Sequence, residues 1–124
     1  MNIYICHSRN FDFKNELYAP IRSSELNAKH NFIFPNEDAE TPFNSKELLF
    51  NKGCDLVIAE VSYPSTGQGI ELGWANILEI PIVCLYKDGT TPARSLSAVS
   101  SKLLMYTSTE NMIEDITGVL RNYE

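Results

Sequence analysis

Asp55-Leu56-Val57-Ile58-Ala59-Glu60-Val61-Ser62-Tyr63 is followed by Pro64-Ser65-Thr66-Gly67-Gln68-Gly69 and then by Ile70-Glu71-Leu72-Gly73-Trp74-Ala75. An apolar, β-branched run of strand length gives way to a turn with two glycines, and the turn to helical spacing. Strand, small-residue turn and helix in this order put chemistry at the carboxyl end of a parallel sheet. The run from Asp55 to Val61 shows no alternation, so both of its faces are expected to be buried. The stretch places three carboxylates, Asp55, Glu60 and Glu71, around one short loop.

Outward from this centre the pattern repeats. Ile3 to Cys6, Asn31 to Phe34, Ile80 to Leu85 and Leu103 to Tyr106 read as further strands. Helical spacing runs from Asp12 to about Leu26 and again over Ser45 to Lys52, Thr66 to Leu78 and Glu110 to Leu120. Pro20 interrupts the first of these, because an internal proline removes a donor and costs about 3 kcal/mol; a kink or two short helices are expected. Gly53 is a stop signal for the second. Ser65 and Gln68 have the capping-box form and place the start of the third. Leu96 to Val99 reads as a short helical turn. The acidic segment 36–42 reads as a solvated loop or as a loop at the mouth of a site.

Alternating strands and helices give a parallel sheet covered on both faces. The fold class expected is α/β, a flavodoxin-like three-layer sandwich with a five-stranded parallel sheet in the order 2-1-3-4-5, formed by residues 1–124 as a single domain. The switch point then lies between the first and third strands. The loops 6–11 and 62–68 meet there.

The 124 residues carry a net charge of −6, with 44% hydrophobic and 21% charged residues. Ten scattered Lys and Arg residues argue against duplex nucleic acid, whose binding rests on phosphate neutralisation. They leave room for a small phosphorylated ligand. No apolar stretch reaches membrane-spanning length, and Met1 to Cys6 leads into a strand rather than a signal peptide. A cytoplasmic protein is expected. Cys6, Cys54 and Cys84 form no C-x-x-C pair and read as buried free thiols of a reducing compartment. His7 follows Cys6, but neighbouring strand side chains point to opposite faces. Neither His7 nor His30 has metal-site spacing with cysteines or carboxylates. No metal and no cofactor is implied.

The loop Pro64–Gly69 offers free N–H groups at a helix start, two glycines that allow close approach, and hydroxyls from Ser65 and Thr66. The plainer alternative is a capped helix. Glu71 stands near the helix start, where the dipole favours its ionised form, and an ionised carboxylate there can attack an anomeric carbon. Its plainer role is helix support. Asp55 opens its strand at the amino end, away from the switch point. Glu60 lies near the carboxyl end and is either paired or functional, since burying it alone is costly. Retaining glycosyl chemistry uses two carboxyl groups roughly 5 Å apart, and Glu60 with Glu71 is a candidate pair. His7 would lie at the site mouth.

The run Asp55 to Val61, with Pro64-Ser65-x-Gly67-x-Gly69-x-Glu71-Leu72-Gly73-x-Ala75, resembles the central motif of the nucleoside 2-deoxyribosyltransferase-like superfamily. The likeness is greatest to its 2'-deoxynucleoside 5'-phosphate N-hydrolase branch. It continues through Pro81 to Leu85 and Leu96-Ser97-Ala98, and more weakly at Tyr4 to Ser8. The resemblance implies hydrolysis of the N-glycosidic bond of a nucleoside or nucleoside 5'-monophosphate. Glu71 would be the nucleophile forming a covalent glycosyl-enzyme, Asp55 a group acting on the sugar or the base, and Tyr4 an active-site tyrosine. It implies phosphate-binding serines at Ser8 and Ser65, with Gly67 and Gly69 in the loop. Ser97 would reach the site of a neighbouring subunit, hence a homodimer or larger homo-oligomer. The hydrolases carry glycine before the first serine and arginine two places after it; here these are His7 and Asn10, with Arg9 adjacent. A deoxyribosyltransferase is an alternative. So is a TIR-like nucleotide-binding or signalling module, which Ile3 to Ser8 and Glu71-Leu72-Gly73 also resemble.

Overall fold

Successive residues of the central strands feed two different cores. Ile3, Ile5, Leu56, Ile58, Val83 and Leu85 pack in one buried cluster, and Tyr4, Cys6, Val57, Ala59, Ile82 and Cys84 in another. Side chains alternate across a strand, so two apolar faces make an uninterrupted apolar run in sequence. The computed structural model describes residues 1–38, 40, 42–100 and 102–123. Its strands are β1 (Asn2–His7), β2 (Asn31–Ile33), β3 (Leu56–Glu60), β4 (Ile82–Lys87) and β5 (Lys102–Tyr106). They form one sheet in the order β2-β1-β3-β4-β5, with every pairing parallel. This is the order expected from the alternation of elements.

The first core lies between the sheet and a helical segment that Pro20 breaks. A π-helical turn, Lys14–Tyr18, is followed by α1 (Ala19–Arg22) and α2 (Leu26–Lys29). The Ala19 N–H reaches back to the Lys14 carbonyl, and Pro20 then occupies the first turn of α1, where a missing N–H costs nothing. The interruption takes the form of a register change and a restart. Helix α5 (Thr109–Arg121) closes the same face with Met112, Ile116, Val119 and Leu120.

The second core lies beneath α3 (Ser45–Phe50) and α4 (Thr66–Ile77). Asn44 caps α3 by accepting the Glu47 N–H at 3.0 Å. Gly53 does not end this helix through left-handed backbone; that conformation falls on Lys52, with φ 53°. Gly53 is small because a Cβ there would stand 2.6 Å from Leu48 Cδ1 and 3.1 Å from the Leu48 carbonyl oxygen. The fourth strand starts two residues later than its apolar run. Glu79 turns left-handed at φ 60°, the Ile80 N–H returns to the Ala75 carbonyl at 3.0 Å, and the ladder begins after Pro81. The turn expected at Leu96 to Val99 is 3₁₀-helical, Arg94–Ala98. Of the acidic segment 36–42, Ala39 and Thr41 lie outside the described residues. No helix of the described chain is long and apolar enough to cross a membrane.

Candidate active site

The loops after β1 and β3 meet at the switch point, where the rings of Phe11 and Tyr63 lie 5.4 Å apart. Beside them opens a cleft of about 530 Å³. Strand β1 supplies Tyr4 and His7, the following loop Arg9 and Phe13, the π-helical turn Lys14, and the cap and first turns of α4 Ser65, Gly67, Gln68 and Glu71. The segment after β2 closes the other side with Pro35, Asn36, Asp38, Pro42, Phe43 and Ser45.

Glu71 is the sixth residue of α4, beyond the reach of the helix dipole. Burial pushes its carboxyl above the ordinary carboxylate value, and hydrogen bonds from Tyr4 and Ser45 pull it back. At this position burial outweighs the dipole, so the carboxyl is shifted up and not down. The Tyr4 hydroxyl donates to Glu71 Oε2. Burial, and then the neighbouring Glu71 charge, raise the Tyr4 hydroxyl far above an ordinary phenol, so it stays protonated and donates. The Tyr4 ring stacks on Phe43 at 5.9 Å with planes 17° apart.

Ser65 caps α4 by accepting the Gln68 N–H at 3.3 Å. The other half of the expected capping box is absent. Gln68 turns inward, buried, and its Nε2 donates to the Glu60 carbonyl at 2.7 Å and reaches the Cys6 carbonyl at 3.5 Å. Its side chain thus ties the ends of β1 and β3 beneath the first turn of α4.

Of the residues expected from sequence, Tyr4, Arg9, Ser65, Gly67 and Glu71 line the cleft. Ser8 is buried, and its Oγ accepts the Asn10 N–H at 2.9 Å; this tight turn leaves Ser8 and Asn10 off the wall and Arg9 on it. Gly69 lines a smaller adjoining pocket with Leu72 and Leu96. Ser97 is exposed on the 3₁₀ turn, donating to the Arg94 carbonyl at 3.1 Å. Asp55 does not reach the cleft: its Oδ2 accepts the Asn2 N–H at 2.7 Å at the amino end of the sheet.

The candidate pair of Glu60 and Glu71 is also overturned. Glu60 follows Leu56 and Ile58 onto the α5 face, where it accepts from the Tyr106 hydroxyl, from Ser62 Oγ at 2.9 Å and from the Ser62 N–H at 2.7 Å. Glu71 lies on the opposite face. The thiols are equally unsuited to catalysis. Burial raises Cys6 well above an ordinary thiol, raises Cys84 and pushes Cys54 up to about 11. Among the described residues no group of His, Cys, Asp and Glu could hold a metal ion.

Lys14, Phe43 and Ser45 line the cleft without having been singled out from sequence, whereas Asn36 and Asp38 belong to the acidic segment expected either in solvent or at the mouth of the site, and Gln68 to the loop expected at the switch point. The Asn44-x-x-Glu47 cap places Ser45 at a helix start and was legible in sequence. The approach of Phe43 to Tyr4 is a tertiary contact with no local signal.

The chain is 41% identical over 56 residues to 5-hydroxymethyl-dUMP N-hydrolase of Mus musculus, covering 45% of this chain and 31% of that protein. It is 28% identical over 90 residues to the Esox lucius protein of the same name, covering 70% of this chain and 61% of the other. The chain is similar to nucleotide N-hydrolases. This agrees with the resemblance carried by the motif from Asp55 to Ala75. The matches span less than two thirds of either relative's own length. Among solved structures, a Clostridium botulinum CMP N-glycosidase superposes with a TM-score of 0.63 at 21% identity, over 94% of this chain and 99% of the other; this shows a shared fold. No protein-family model matches the chain.

Proposed function

We propose that the chain is an N-glycosidase acting on a nucleoside or nucleoside 5'-monophosphate, with Glu71 as nucleophile. The observation that carries this reading is Glu71 itself, presented to the cleft with one oxygen held by Tyr4. A carboxylate so held has one direction of attack, which is how a nucleophile is oriented. Glu71 attacks C1', the C1'–N bond breaks, and the base departs. Water then cleaves the glycosyl-glutamate ester and releases the sugar. The names of the relatives support this reaction class.

The cleft suits the parts of such a substrate. Phe43, exposed and backed by the buried Tyr4 ring, offers an aromatic face to the base or sugar. Arg9 and Lys14 line the cleft and enter no ion pair among the described residues, which favours a 5'-phosphate near the start of α4. In this reading Arg9 does the work of the arginine that the hydrolases carry one place later. The reading also includes a cytoplasmic homo-oligomer. Leu103 and Met105 are 46% and 47% exposed on edge strand β5, near the turn that carries Ser97, and an apolar edge of this kind invites a partner.

Incubation with a panel of ribo- and deoxynucleoside monophosphates, with free base as the readout, tests the proposal. Base release is expected, falling by about 10³-fold or more in Glu71→Gln. Mass spectrometry of the quenched wild-type reaction should find a glycosyl adduct on Glu71. No release from any nucleotide sinks the reading. A new nucleoside formed when a second free base is added would make the protein a transferase, and turnover of NAD would favour the TIR-like alternative.

A further inference from the structure

We propose that His7 is a positioning residue that acts through Tyr18 on the backbone at Asn36, and so sets the cleft wall facing Glu71 for the nucleotide. This rests on the glycosidase reading for its substrate. The relay itself rests on geometry.

Three hydrogen bonds run in series, and chemistry fixes their directions. His7 Nδ1 lies 2.7 Å from the Ser8 carbonyl oxygen. A carbonyl only accepts, so Nδ1 carries the proton. In a neutral ring Nε2 is then the acceptor, and its partner is the Tyr18 hydroxyl. The Tyr18 oxygen in turn accepts the Asn36 N–H at 3.1 Å. His7 and Tyr18 are 6% and 4% exposed, so each bond is shielded from competing water. Aromatic packing holds the rings in place: Phe13 lies 4.5 Å from His7, and Phe34 lies 4.3 Å from Tyr18. Burial favours the neutral imidazole, and the nearby Arg9 charge adds to this.

The relay joins two walls of the cleft that no strand pairing joins at this point. His7 ends β1, the strand that carries Tyr4. Asn36 lies in the segment after β2, which continues to Phe43 and Ser45, the residues that touch Tyr4 and Glu71. A residue without a side chain at position 7 would leave Tyr18 without its acceptor and this segment without its anchor.

The test compares His7→Gln, His7→Asn and Tyr18→Phe. Glutamine places an acceptor near the position of Nε2, whereas asparagine reaches only the position of Nδ1; both remove the ring. With a deoxynucleoside monophosphate as substrate, His7→Asn and Tyr18→Phe should raise KM about tenfold and leave kcat within about twofold, while His7→Gln stays near wild type. Long-range ¹H–¹⁵N spectra of the wild-type protein should show His7 protonated at Nδ1 and not at Nε2. Equal losses in His7→Gln and His7→Asn would overturn the relay, because the ring's packing would then be what matters. An Nε2–H tautomer would overturn it too. If the wild-type protein releases no base, the glycosidase reading fails and the spectrum alone decides the relay.

Discussion

At the scale of single residues, the contact that matters most is that between Tyr4 and Glu71. Two opposing effects act on the Glu71 carboxyl: burial disfavours the ionised form, and the donors Tyr4 and Ser45 favour it. Tyr4→Phe deletes one donor and leaves the burial. The carboxyl should titrate at a still higher pH, so the acid limb of the kcat/KM profile should move upward. With one hydrogen bond to the charged form lost, kcat should fall about tenfold or more. A pH–rate profile of the variant on a nucleotide substrate checks both. Asp55→Ala makes the contrasting case. Asp55 ties the amino ends of β1 and β3 together, so this variant should keep full turnover while losing about 1 kcal/mol of stability in a denaturant titration.

At the scale of elements, the two helices over the second core end in ways that give opposite predictions. At Glu79 an exposed residue holds left-handed backbone, which a glycine adopts without steric cost. Glu79→Gly should stabilise the protein by about 0.5–1 kcal/mol, seen as a higher urea midpoint with an unchanged slope. Gly53 has no left-handed strain to relieve but has no room either. Gly53→Ala drives a methyl into Leu48 and its carbonyl, and should cost about 1–3 kcal/mol in the same titration. Both positions read from sequence as helix ends. What glycine would do at each is decided by a dihedral angle at one and by a packing distance at the other.

At the scale of the whole molecule, two buried titratable groups at the cleft bend stability in opposite directions with pH. Glu71 titrates above its unfolded value, so its contribution is fully present in acid and is lost as pH rises through the folded value. His7 titrates below its ordinary 6.5, so the unfolded chain takes up the proton first and stability falls as pH drops below that value. Glu71→Gln should therefore melt higher than wild type at pH 7–8. The difference should vanish near pH 4, and differential scanning calorimetry across this range checks it. A gain in stability that accompanies a loss of turnover is the mark of a group kept for function.

The order and type of the main elements were legible because they rest on local chemistry. Apolar runs too short for helices, Pro20, the Ser65 cap and the turn from Ser62 to Gly69 carry their meaning within a few residues. Alternation with helices then leads to a parallel sheet with its switch point beside the loop. The motif around Glu71 was legible as well, through its likeness to a known family. The tertiary structure decided everything that depends on which face a side chain occupies. It placed Glu60 with Tyr106 and away from Glu71 and turned Gln68 inward, whereas the place of Asp55 at the amino end of its strand followed from sequence and strand direction. It also brought Phe43 and Asn36 to a cleft whose other walls come from residues 4–14 and 65–71. When both faces of a strand are apolar, the run shows that its side chains are buried. Which of the two cores each one enters is settled by register and by the contacts that the folded chain makes across the sheet.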